Sequence, residues 1–181
     1  MRYLSDRTRK LALYSILVSL SLSIWVFEEF IPRPAPWLKP GFSYIPVIIG
    51  MELMGSVLGG SIALLRSFLG ALIFGRLFSA SFILSISGAS AAVIIMSLLF
   101  PLRGKVLTYI GISVAGAFTN ILAQLMIAGK LFYDMKAMLM LLPPSTLWTV
   151  FAGAVVGILA NAIIKSRVSA PLKERKKLIG L

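Results

Sequence analysis

Arg66 is the residue whose type and place ask most for an explanation. It lies in the run LLRSFLGALIFG, and a charge inside a membrane span costs about 2.5 to 3.5 kcal/mol on insertion scales, so it needs a partner or a task. A guanidinium there can clamp a carboxylate or phosphate of a ligand. Equally, it can snorkel to the nearer interface, or pair with Glu52 across a turn at Gly59-Gly60. Glu52, with Gly55, Ser56 and Gly59 nearby, either makes that pair or lines a cavity. Asn120 and Gln124 stand four residues apart, with Gly116 and Ala128 extending the same helical face. Two amides so placed either hydrogen-bond a ligand or hold their helix to a neighbour. Arg66, Glu52, Asn120 and Gln124 are therefore the ligand-binding candidates. Glu28 and Glu29 close the first apolar run, where contact with solvent accounts for them.

Other chemistries are excluded by what the sequence lacks. There is no Cys and no His, which removes disulfides, thiolate sites and the commonest transition-metal ligand. The only aspartates are Asp6 and Asp134, too few for the Asp clusters that hold magnesium against a diphosphate. No G-x-x-x-x-G-K-[ST] loop is present, so ATP hydrolysis of the P-loop kind is ruled out. The chain is expected to be no enzyme on its own, with no metal and no cofactor.

The elements that must position these residues are read from composition and run length. Of 181 residues, 59% are hydrophobic and 13% charged, against roughly 25% charged in a soluble domain. The expected class is an all-α integral membrane protein, one domain over residues 1–181, in a six-transmembrane-helix bundle. A span needs about 20 mostly apolar residues. Such runs occupy about 11–31, 81–100, 107–128 and 146–165, and the first is expected to be a retained helix rather than a cleaved leader. Residues 42–79 would make a helix of roughly 57 Å, too long for one crossing. Two short helices are predicted instead, near 43–58 and 61–76, with the break at Gly59-Gly60. Loops are expected at the proline-rich PRPAPWLKPG and around Pro143-Pro144, and a surface-lying or re-entrant segment over 133–142.

The net charge of +12 belongs to topology rather than to nucleic-acid binding, because the basic residues fall in short segments between apolar runs. An even helix count puts Arg2, Arg7, Arg9, Lys10, Arg103, Lys105, Lys165 and the basic tail of 166–181 on one side. The other side receives Arg33, Lys39, Arg76, Lys130 and Lys136. This asymmetry predicts a multi-pass protein of the cell's inner (plasma) membrane with both termini cytoplasmic. Small residues form ridges, Ser15, Ser19 and Ser23 on the first helix and Gly153, Gly157 and Asn161 on the last, fitting close helix packing or a partner membrane protein.

The segments KPGFSYIPVIIGMELMG, LLRSFLGALIFGRLFS, FILSISGASAAVIIMSLL and YIGISVAGAFTNILAQL resemble the Gx transporter family, also labelled heptaprenyl diphosphate synthase component I. The correspondence runs through Leu64, Leu65 and Arg66, then Phe74 and Gly75, then Gly116, Ala117, Asn120 and Gln124. Thr119 stands where that family has His. The resemblance implies a likeness to the S components of energy-coupling factor (ECF) importers. It implies a bundle of six helices with an outward-opening cavity for a small-molecule substrate, and a transmembrane coupling subunit and ATPase subunits as partners. The ridge of Ser15, Ser19 and Ser23 is then the candidate docking face. The family label implies the alternative, a non-catalytic accessory subunit of a polyprenyl diphosphate synthase; a third reading is an accessory subunit of quinone or flavin electron-transfer machinery.

Overall fold

A computed structural model describes residues 6–32, 38–104, 106–131 and 134–179, with side chains described from Arg7 to Ser166. The basic side chains beyond Ser166, Lys105 and most of the proline-rich segment lie outside the described residues. The helices are α1 (Asp6–Glu29), α2 (Ile45–Met54, preceded by a 3-10 turn at Phe42–Tyr44), α3 (Ser56–Ile73), α4 (Ala80–Leu99), α5 (Tyr109–Leu131), α6 (Met135–Met140) and α7 (Leu142–Ile179). No strand occurs among the described residues.

Five helices are long and apolar enough to cross a membrane, Arg7–Glu29, Ser56–Ile73, Ala80–Leu102, Tyr109–Leu131 and Leu142–Ser166. The apolar helix Phe42–Met54 is shorter, about 20 Å at helical rise. Leu11, Ile16, Leu20, Phe27, Leu98, Phe151 and Ile158 face outward, while Ser21, Glu28, Ser43, Arg66, Ser67 and Ser113 are buried. That inverted distribution suits hydrocarbon as solvent and would be disfavoured in water.

Residues 42–79 do fold as two helices, with the break at Gly55 rather than at Gly59-Gly60. Gly55 has φ 95° and ψ 156°, a region essentially closed to residues with a Cβ. The chain reverses there, so that Gly59 lies against Gly50 and Met51, and Arg66 against Ser43. A Cβ on Gly59 would stand 2.0 Å from the Met51 nitrogen. Gly59 thus serves the contact between the two helices, four residues beyond the turn.

Two further expectations change. Pro143 and Pro144 lie in the first turn of α7 instead of in a loop, a place where a missing N–H costs nothing because it has no intrahelical acceptor. The helix also continues beyond Lys165 to Ile179. The segment expected at the surface becomes α6, capped by Asp134, whose carboxylate accepts from the Ala137 N–H at 3.3 Å, and none of its residues is buried.

Packing runs α1, α3, α4, α5, α7, and α2 touches α1, α3 and α7, closing the group into a ring. The apolar core of Leu17, Val18, Val47, Ile48, Met51, Ile62, Ala63, Met96, Phe100, Ile112, Val156 and Ala160 fills the half of the ring nearer the Gly55 turn. Gly153 and Gly157 bring α7 directly onto the α5 backbone at Val114 and Ile110, so that ridge is used for internal packing.

Candidate functional site

The half of the ring that the apolar core leaves unfilled holds a cavity of about 570 Å³, within the range of pockets that take small organic molecules. Its lining extends from Trp25 and Glu28 of α1, through Leu38–Gly41, Ser43 and Tyr44, to Arg66 of α3, Ser81 and Ser85 of α4, and Ser113 to Ala128 of α5. Met138 of α6 and Thr149 to Val156 of α7 complete it.

One connected set of polar contacts crosses this cavity. Glu28 reaches it because Leu17, Ser21, Trp25 and Glu28 share the buried face of α1, whereas Glu29, one residue on, turns toward Lys39 and pairs with it. The Ser21 hydroxyl donates to the Ser43 carbonyl at 2.7 Å, and the Ser43 hydroxyl donates to Glu28 Oε2 at 3.0 Å. Arg66 Nη1 donates to the same Ser43 oxygen, and its guanidinium lies 4.7 Å over the Tyr44 ring. The Tyr44 hydroxyl accepts from Asn120 Nδ2 at 2.8 Å, and Gln124 Nε2 donates to Asn120 Oδ1. Both amides approach α4 at Gly88, where a Cβ would come within 2.7 Å of Asn120 Oδ1.

The charges in this set are deeply placed. Glu28 is 1% exposed and Arg66 3%. Glu28 Oε1 and Arg66 Nε are buried without a hydrogen-bond partner. An unmade hydrogen bond on a buried group costs about 1 to 3 kcal/mol, more when the group is charged. Both residues belong to the lining of the cavity, which thus carries one buried carboxylate and one buried guanidinium whose hydrogen-bonding capacity is only partly used.

Of the residues predicted from sequence, Arg66, Asn120 and Gln124 line this cavity and Glu52 does not. The pair expected between Arg66 and Glu52 does not form, because in the hairpin Arg66 faces Ser43, nine residues or about 14 Å along the chain from Glu52. Glu52 instead forms an ion pair with Arg103, whose Nε lies 2.7 Å from Oε2, and accepts from Arg103 Nη2 at 3.3 Å and from the Tyr109 hydroxyl at 2.8 Å. These contacts tie the end of α2 to the segment before α5 and hold the Arg103 pKa above its ordinary value, chiefly through the Glu52 hydrogen bond. Snorkelling of Arg66 is also ruled out by its burial. Ser15, Ser19 and Ser23 are exposed on the outward face of α1. Thr119 donates to the Ala115 carbonyl at 2.7 Å and is not among the lining residues.

Sequence reasoning missed Glu28, Ser43, Tyr44 and Trp25. Glu28 had a usable signal, since Ser21, Trp25 and Glu28 recur at a spacing of four and three residues, the stripe of an inward face. Ser43 and Tyr44 had none, since their place follows from the turn at Gly55.

A family model described as heptaprenyl diphosphate synthase component I matches residues 17–163. The chain belongs to that family. Comparison with characterised proteins and with solved structures gives no match. The span common to the heptaprenyl diphosphate synthase component I family contains every residue of the polar set, from Ser21 to Gln124, and the whole α2–α3 hairpin. It is the same family, also called Gx transporter, that the segments around Arg66 and Asn120 resemble.

Proposed function

We propose that the chain is the membrane-embedded substrate-binding subunit of an importer of the energy-coupling factor type, taking up a small molecule such as a vitamin or cofactor precursor. The observation that carries this reading is the cavity of about 570 Å³ lined by Glu28, Arg66, Asn120 and Gln124, closed at one end by the apolar core. A cavity stopped at one end binds; it does not conduct. Membership of a family that resembles S components supports the same conclusion.

In this proposal α2 makes a sixth, partial crossing, both termini are cytoplasmic, and the cavity faces the outer side, where residues 38–41 and α6 lie over it. Arg66, Asn120 and Gln124 contact the ligand, while Glu52 is a structural tie. The exposed ridge of Ser15, Ser19 and Ser23 docks on a transmembrane coupling subunit, since small residues let helices approach closely. ATPase subunits supply the energy, which the chain's own motifs do not provide.

The test is mass spectrometry of small molecules extracted from the purified wild type and from Arg66→Ala and Asn120→Ala. A compound retained by the wild type and lost from both variants supports the proposal. A dry cavity, with a soluble prenyltransferase that copurifies and depends on this chain for activity, favours the accessory-subunit reading instead.

A further inference from the structure

The ligand's charge class follows from the groups around the cavity, on the binding reading given above. Two ionic side chains are buried there, Glu28 and Arg66, and they flank one hydroxyl: Ser43 gives its proton to Glu28 and accepts from Arg66. Lys39, also in the lining, pairs with Glu29 and lies 4.4 Å over the Trp25 ring. Each cation is thus matched by a carboxylate. The other polar lining groups, Tyr44, Asn120, Gln124 and the hydroxyls of Ser81, Ser85, Ser113 and Thr149, are neutral.

An anion entering this site gains Arg66 but meets Glu28 across a single hydroxyl, in surroundings where charges are weakly screened. A cation meets the reverse problem. In the lining, Glu28 as a carboxylate can only accept and Arg66 can only donate. A ligand group that complements both carries a donor and an acceptor and adds no net charge. Trp25, Leu84, Met96, Ile121 and Leu125 supply apolar walls for the rest of the molecule.

We infer that the cavity selects a net-neutral small molecule with a polar edge that donates to Glu28 and accepts from Arg66, carried on an apolar or aromatic body. An amide-like edge and a zwitterion share this chemistry. Isoprenoid diphosphates, with several negative charges, do not, so the cavity is not a seat for the headgroup named in the family's label.

The experiment is a thermal-shift titration of the full chain in lipid nanodiscs with benzamide, phenylalanine, benzoate and isopentenyl diphosphate, alongside identification of any compound released by solvent extraction. Benzamide and benzoate share a ring and differ in charge; phenylalanine is the zwitterionic arm. Benzamide or phenylalanine is expected to raise the melting temperature of the wild type, and the two anions to leave it unmoved. In Glu28→Gln, which leaves Arg66 unmatched, the preference reverses toward benzoate by about tenfold or more, as expected for a charged hydrogen bond gained and a repulsion removed. Anions that bind the wild type as well as the neutral probes, or an anionic compound released from it, overturn the charge inference and leave the binding reading standing. A wild type shifted by none of the four and releasing nothing contradicts both. The wild-type arms stand by themselves if Glu28→Gln does not fold.

Discussion

Ser43 has one proton and two charged neighbours, and the direction of its hydrogen bonds organises the site. Because it donates to Glu28 and accepts from Arg66, both charges are held at fixed positions while each keeps one atom without a partner. Arg66→Ala is expected to weaken ligand binding about a hundredfold, the upper range for a charged hydrogen bond, by equilibrium binding to the purified protein. Arg66→Lys recovers only part of that, since an ammonium has no fork to contact Ser43 and a ligand together. The cluster at Glu52 behaves differently, being partly exposed and outside the cavity. Tyr109→Phe removes one hydrogen bond to Glu52 and is expected to cost about 1 kcal/mol of stability, read as a lowered melting temperature with ligand affinity unchanged.

At the scale of elements, the α2–α3 hairpin brings Ser43 and Tyr44 to Arg66, and two glycines make it possible by different means. Gly55 supplies a backbone conformation, and Gly59 the closeness of two helices. Gly59→Ala places a methyl group against the α2 backbone and is expected to destabilise by about 3 kcal/mol or more. On Gly60 the nearest atoms to an added Cβ are side-chain ones, Val93 Cγ1 at 2.7 Å and Met51 Cε at 3.2 Å, rather than backbone, and Gly60→Ala is expected to cost less. Comparing the melting temperatures and detergent-soluble yields of these neighbouring variants checks the hairpin geometry. Length alone made it legible that residues 42–79 fold as two helices. The break was not legible, because a Gly-Gly pair reads as a turn whether glycine serves backbone freedom or close contact. Likewise Pro143-Pro144 reads as a loop until the start of α7 gives it a first-turn position. The i, i+4 amides of α5 were readable as a pair, whereas their partner Tyr44 depends on how the hairpin folds back.

For the whole molecule, the division is between a half packed with apolar side chains and a half holding buried charge around open space. Five long apolar helices make it a multi-pass membrane protein, and basic residues grouped toward one end set its proposed orientation. Because the chain has no Cys, single cysteines report that orientation without background. Ala80→Cys, at the start of α4, is expected to react with a membrane-impermeant maleimide in intact cells. Val106→Cys, between α4 and α5, is expected to react only after the membrane is permeabilised; the opposite pattern inverts the topology.

If this cavity is a ligand seat in the membrane, it is occupied in the protein as cells make it. The decisive observation is an experimental density map of the wild-type protein, purified from its own membranes without added ligand. Compact density is expected within hydrogen-bonding distance of Arg66 and Glu28 and beside Asn120. Side chains filling that volume, or a lipid acyl chain making no polar contact with Arg66, would contradict it.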